Sequence, residues 1–214
     1  GLLSFAEGIT KQAWVDQTEQ VYAEAARARM LGDSIDTVEG NVLLKPFIQG
    51  GFQDMDFQIR QSELQNEALA FIKDKGKTLE PEKFQEYLAE KSRNLWAETG
   101  NGLSRQQRSK SLQTQLKAEE SLMAAHAKAH QDYLTEMRYK QLTALVSADF
   151  RGLQELQGTD PMPALGKLNS SMQRLMQELP RDMYEPMVEK ILTTLYNDGL
   201  IEEADVLFNG GEDG

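Results

Sequence analysis

The chain has 214 residues, 40% of them hydrophobic and 27% charged, with a net charge of -11 and no cysteine. Disulfides and thiolate metal sites are excluded, and an acidic chain is poorly suited to gripping phosphate, whose affinity comes from counterions released at Lys and Arg contacts. No apolar run approaches the ~18 residues of a membrane-spanning helix, and the basic start and apolar run of a signal peptide are missing.

Helical periodicity pervades the sequence, and the alternating β-branched runs of strands are absent. From Leu2 to Leu31 the residues Leu2, Phe5, Ile9, Ala13, Val15, Val21, Ala25 and Ala28 recur mostly every three to four. Gly8 weakens that helix and Gly32 is expected to end it. Its first turns, with Leu2, Phe5, Ile9 and Trp14, are amphipathic enough to touch a host membrane, although docking on the chain's own domain is favoured. In GNVLLKPFIQGGFQDMDF, Pro46 and the pair Gly50-Gly51 are expected to stop any continuous helix. A helix over about Asp54 to Lys75 follows, then one opened by Pro81 with an apolar face of Leu79, Phe84, Leu88, Leu95 and Trp96.

Ser104 is placed to cap a helix running to about Gln157, interrupted only by Gly152. At ~1.5 Å per residue its roughly 50 residues span about 75–80 Å. Two further amphipathic stretches meet at Pro180. One carries Leu165, Leu168, Met172, Leu175, Met176 and Leu179; the other carries Met183, Met187, Ile191, Leu192, Leu195 and Tyr196. They predict an αα-hairpin, with a short helix after Gly199. The expected organisation is all-α and elongated: an N-terminal helical segment and break over 1–51, an antiparallel helix pair over 52–102, the long helix over 103–158, the hairpin over 159–209, and a tail over 210–214. Gly1 and the terminal NGGEDG suggest a piece of a longer polypeptide as readily as a chosen boundary.

The only two histidines, His126 and His130, lie four apart in SLMAAHAKAHQDYL, the spacing that puts two imidazoles on one helix face. They are the only metal-ligand candidates. A zinc protease needs HExxH, with a glutamate beside the first histidine as general base; that position is Ala127. Glu119 is the one acidic group on the same side. His130 shares a stripe with Leu116, Met123 and Met137, with Leu134 beside it, so packing is preferred to metal binding, and no cofactor is expected. Paired imidazoles at an interface also admit pH-tuned assembly.

Glu120-Ser121 matches a dipeptide of lytic transglycosylases, where the glutamate is the general acid. A raised carboxylate pKa needs an enclosed apolar pocket, which a long polar helix does not offer by itself, so no catalytic residue is assigned. Phosphate-loop and nucleophile-elbow motifs are missing. The basic cluster Arg105, Arg108 and Lys110 opposes the helix dipole and hints at a partner. An interface is expected on Met123, His126, His130, Leu134, Met137, Met172, Met176, Met183 and Met187.

The order of features resembles the internal virion (ejection) proteins of short-tailed, autographivirus-type phages, and the nozzle-forming member above all. The stretches that carry the likeness are LLSFAEGITKQAWVDQTEQVYAEAARARM, LMAAHAKAHQDYLTEMRYKQLTALV and DPMPALGKLNSSMQRLMQELPRDMYEPMVEKILTTL. The resemblance implies a structural, non-enzymatic virion protein that leaves the capsid for the host envelope or periplasm. There it would form a homo-oligomeric ring or tube beside other internal virion proteins and the portal or tail. DNA would pass through without sequence-specific binding, and an acidic lumen would repel its phosphates. The competing expectation is a soluble helical adaptor whose Met-rich hairpin holds a partner helix.

Overall fold

The computed structural model describes residues 2–156 and 160–209, with side chains of 10–156 and 160–207. All regular structure among them is helical, and the chain forms two compact units, 1–130 and 131–214.

The first unit holds α1 (Leu2–Leu31), α2 (Lys45–Asp74), α3 (Pro81–Thr99) and the first half of α4 (Arg105–Gln154). Three short 3-10 turns, Ile35–Thr37, Gly76–Thr78 and Gly100–Gly102, make the corners. α1 ends as its sequence demands: Gly32 has φ 83°, and Asp33 N–H donates to Ala28 O at 2.9 Å. That is the wrapped C-terminus for which a left-handed glycine is needed. α4 begins with a reciprocal cap, in which Gln107 N–H donates to Ser104 Oγ at 3.3 Å and Ser104 N–H donates to Gln107 Oε1 at 2.9 Å.

The expected break at Pro46 and Gly50-Gly51 is absent, and α2 starts at Lys45 instead of Asp54. Pro46 sits in the first turn, where its missing N–H has no intrahelical partner to lose. The glycines are inside the helix because α1 crosses there. A Cβ on Gly51 would meet the Tyr22 carbonyl oxygen at 2.1 Å, so only glycine permits that approach.

The apolar residues of this unit form separate small cores. Val21 and Ala25 of α1 pack with Leu44 and Ile48. Phe57, Leu95 and Leu103 enclose a second core edged by Trp96. Ala68, Ile72, Phe84, Leu88 and Leu122 form a third. Full burial of each large apolar side chain contributes about 1.5–3 kcal/mol. Charged residues run along the outside: Asp56 of α2 meets Arg29 of α1 at 2.6 Å and Arg60 at 3.5 Å, and Arg60 reaches Glu98 of α3 at 3.0 Å. The exposed Arg60–Glu98 pair contributes about 0–1 kcal/mol.

The second unit combines the end of α4 with α5 (Met162–Glu178), α6 (Arg181–Asn197) and α7 (Ile201–Asn209). Leu179 and Pro180 link α5 to α6, the expected hairpin. Its single core unites Leu142, Val146 and Leu153 of α4 with Leu165, Leu168, Met172, Leu175, Leu179, Ile191, Leu195 and Ala204. Gly199, at φ 76°, turns the chain into α7, and Leu200 N–H donates to Leu195 O at 2.8 Å.

Candidate functional site

His126 is fully buried and His130 nearly so. His126 Nε2–H donates to Gly76 O at 2.9 Å, and His130 Nδ1–H donates to Lys77 O at 2.8 Å. A carbonyl only accepts, so each bond fixes its ring's tautomer. His126 lies flat on Phe84, centroids 4.1 Å apart, and His130 stacks on His126 at 5.7 Å. The pair therefore fastens the Gly76–Thr78 turn to α4. The nitrogens left over point to different uses: His126 Nδ1 is buried without a partner, and His130 Nε2 lies 3.9 Å from Glu80. Among the described residues no group of three or more His, Asp or Glu is arranged to hold a metal ion.

The expected stripe along α4 divides. Met123 is half-buried against the Ala68–Phe84 core, while Leu116, Leu134 and Met137 are exposed. In the hairpin Met172 is buried and Met183 and Met187 pack against the core of their own unit, leaving Met176 exposed. The Leu2, Phe5 and Ile9 side chains fall outside the described residues, whereas Trp14 packs edge-on against Phe47.

Glu120 is exposed. Its neighbour Glu119 is the carboxylate taken into the structure: Oε1 accepts from Ser92 Oγ–H at 2.5 Å and from Gln115 Nε2–H at 2.7 Å. Gln115 Oε1 in turn accepts from Trp96 Nε1–H. This chain of bonds ties α3 to α4 across a buried Ser92.

A wide concavity lies in the first unit, between α1, α2 and the start of α4. It measures about 1090 Å³, slightly above the ~300–1,000 Å³ usual for ligand clefts. Its lining includes neutral hydrogen-bonding residues, Gln58, Gln61, Ser62 and Gln65 from α2, and Gln106, Gln107, Ser111 and Thr114 from α4. Tyr22, Pro46 and Phe47 add apolar surface, and the charged groups are Glu19, Asp54 and Lys110. Tyr22 organises one side, where its O–H donates to Asp54 Oδ2 at 2.7 Å and its oxygen accepts from Gln107 Nε2–H at 2.7 Å. Burial, and then the Asp54 carboxylate, push the phenol up to about 12. Gln58 Nε2–H also reaches Asp54, at 3.3 Å. Gln61 is 6% exposed and its Nε2 has no partner.

Sequence reasoning missed this cleft. Its one local signal is the recurrence of Gln58, Gln61, Ser62 and Gln65 at helical spacing, a polar stripe on α2. The rest comes from residues as far apart as Glu19 and Thr114, which only the fold brings together.

Comparison with known proteins finds a phage relative. Over 133 residues the chain is 32% identical to "Peptidoglycan hydrolase gp36" of Pseudomonas phage phiKMV. The match covers 62% of this chain and 15% of the relative, so the chain spans a small part of that protein's length. No family model matches, and no solved structure matches. The likeness corrects two expectations. A purely structural DNA-conducting protein, with the adaptor as its alternative, gives way to a relative named for a cell-wall lytic activity, and the expectation of a non-enzyme falls with it. The chain is similar to a phage protein.

Proposed function

We propose that the chain is a helical part of a phage protein that hydrolyses bacterial peptidoglycan, and that it works at the host cell wall. The observation that carries this reading is the 32% identity over 133 residues to a phage peptidoglycan hydrolase. The α1–α2–α4 cleft supports it as a roomy concavity whose lining includes hydrogen-bonding and acidic side chains. Hydrolysis of a glycosidic bond uses a pair of carboxylates flanking it. The cleft presents Glu19 and Asp54, and Asp54 is oriented by hydrogen bonds from Tyr22 and Gln58. Glu120 is not part of this wall.

The test is incubation of the purified chain with peptidoglycan sacculi, following solubilisation and the appearance of reducing ends. The expected result is release of soluble fragments by the wild type and at least about 100-fold slower release by Asp54→Asn, the scale of losing a general acid or base. Sacculi left intact by the folded chain would overturn the reading.

A further inference from the structure

We propose that the first turns of α4 dock on the α6–α7 corner of a second copy of this chain, with Arg105 and Arg108 meeting Glu202 and Asp205. The proposal is independent of the cell-wall reading, since none of these residues belongs to the cleft wall.

The chain is strongly acidic, but its charge is unevenly placed. Residues 99–118 hold Arg105, Arg108, Lys110 and Lys117 and no aspartate or glutamate. Among the described residues none of these four cations has an ion-pair partner. Arg105 and Arg108 stand at the positive end of the α4 dipole, which disfavours cations and favours carboxylates beside it. With Leu112 and Leu116 they are spaced i, i+3, i+7 and i+11, which puts all four on one helix face. All four are exposed, the leucines by 48% and 56%. The matching surface is the α6–α7 corner. Ile201, Glu202 and Asp205 are exposed there, and the half-exposed Tyr196 donates its O–H to Asp205 at 2.9 Å. Each surface thus joins two apolar side chains to two like charges, and the two signs are opposite. Both are exposed in the single chain, so each is open to a partner from another. Two chains of net charge -11 repel, but at 0.15 M salt charges farther apart than ~8 Å are largely screened, whereas side chains in contact are not. Nucleic acid fits the α4 face less well, because half of it is leucine, which offers phosphate nothing. Two short helical faces bury less than the ~1,200 Å² of stable complexes, so the association is transient.

Sedimentation equilibrium of the full chain, from about 10 μM to about 1 mM, tests the proposal. The weight-average mass is expected to rise with concentration and to approach the 24.1 kDa of one chain on dilution. Arg105→Glu/Arg108→Glu and Glu202→Lys/Asp205→Lys should each associate at least about tenfold more weakly, because like charges then face each other. Mixed in equal amounts, the two double variants should associate again, since each then offers the charge the other lacks. Misfolding cannot produce that recovery. Leu112→Ser/Leu116→Ser, which leaves the charges in place, should also weaken association, and it decides the matter if a charge variant fails to fold. A wild type that stays monomeric to about 1 mM, association unchanged in the variants, or a mixture that stays monomeric would overturn the proposal. A monomeric wild type that binds a short DNA duplex, and loses it with Arg105→Glu/Arg108→Glu, would overturn it too and give this face to nucleic acid.

Discussion

A Cβ on Gly51 would sit 2.1 Å from the carbonyl oxygen of Tyr22, so α1 and α2 touch backbone to backbone at the edge of the cleft. Tyr22 lines that cleft and bonds Asp54 and Gln107 there. The close crossing thus sets where its phenol stands.

Gly51→Ala is expected to force the two helices apart and cost about 2–3 kcal/mol, the range for overpacking a site that cannot give way. Gly152→Ala is the control. Gly152 lies within α4, and an added Cβ meets nothing within 4 Å, so the change should stabilise by about 0.5–1 kcal/mol through helix propensity. Chemical denaturation of the two variants checks both signs.

The Tyr22 phenol is held at about 12 when folded, against 10.0 ordinarily, first by burial and then by Asp54. A raised pKa means the native state holds the proton more tightly. The associated stability is fully present below pH 10 and is lost as pH rises toward 12. Unfolding midpoints across pH 9–12 should fall for the wild type, and Tyr22→Phe should remove part of that fall.

Glu178 behaves in the opposite sense. Hydrogen bonds from Arg138 and then Arg174 lower its carboxyl to about 2. Stability linked to it is present above pH 4.5 and is lost as pH falls through 4.5 toward 2. Glu178→Gln should flatten the acid limb of the unfolding curve over that window. The pair is exposed, so raising salt should shrink the difference.

His126 Nε2–H and His130 Nδ1–H already serve the Gly76 and Lys77 carbonyls. His126→Ala is therefore expected to cost about 2–4 kcal/mol, from the lost bond and the cavity left against Phe84. Zinc and a chelator should each leave the wild-type unfolding midpoint unchanged, since a ligand that bound the native state would raise it. A metal-dependent shift would show that the imidazoles can leave their carbonyls.

Helical periodicity was enough to reveal the all-α fold, the long α4 and the hairpin, because their apolar faces recur without ambiguity. It failed at Gly50-Gly51, where a tertiary contact decides: glycines that ordinarily break a helix are retained in one because another backbone lies against them. At the histidines it pointed to packing but not to the partners. Spacing placed both on one face of α4, but the acceptors they meet are carbonyls some fifty residues away, and no local pattern encodes that. The cleft was illegible for the same reason, apart from its polar stripe on α2.

The neighbours Glu119 and Glu120 separate a structural carboxylate from a surface one. Glu119 accepts from Ser92 and Gln115, and through Gln115 reaches the Trp96 indole. Removing it leaves the buried Ser92 hydroxyl without that acceptor, so Glu119→Ala is expected to cost about 1–3 kcal/mol. Glu120 is exposed and lies outside the cleft wall; Glu120→Ala should stay within about 0.5 kcal/mol of wild type and leave the solubilisation of sacculi unchanged. Thermal unfolding of both variants, with Ser92→Ala and the Ser92→Ala/Glu119→Ala double variant, tests the assignment. Coupling between 92 and 119 of about 0.5 kcal/mol or more supports the bond. A loss of lysis on changing Glu120 alone would move the chemistry from the cleft to the Glu120-Ser121 dipeptide.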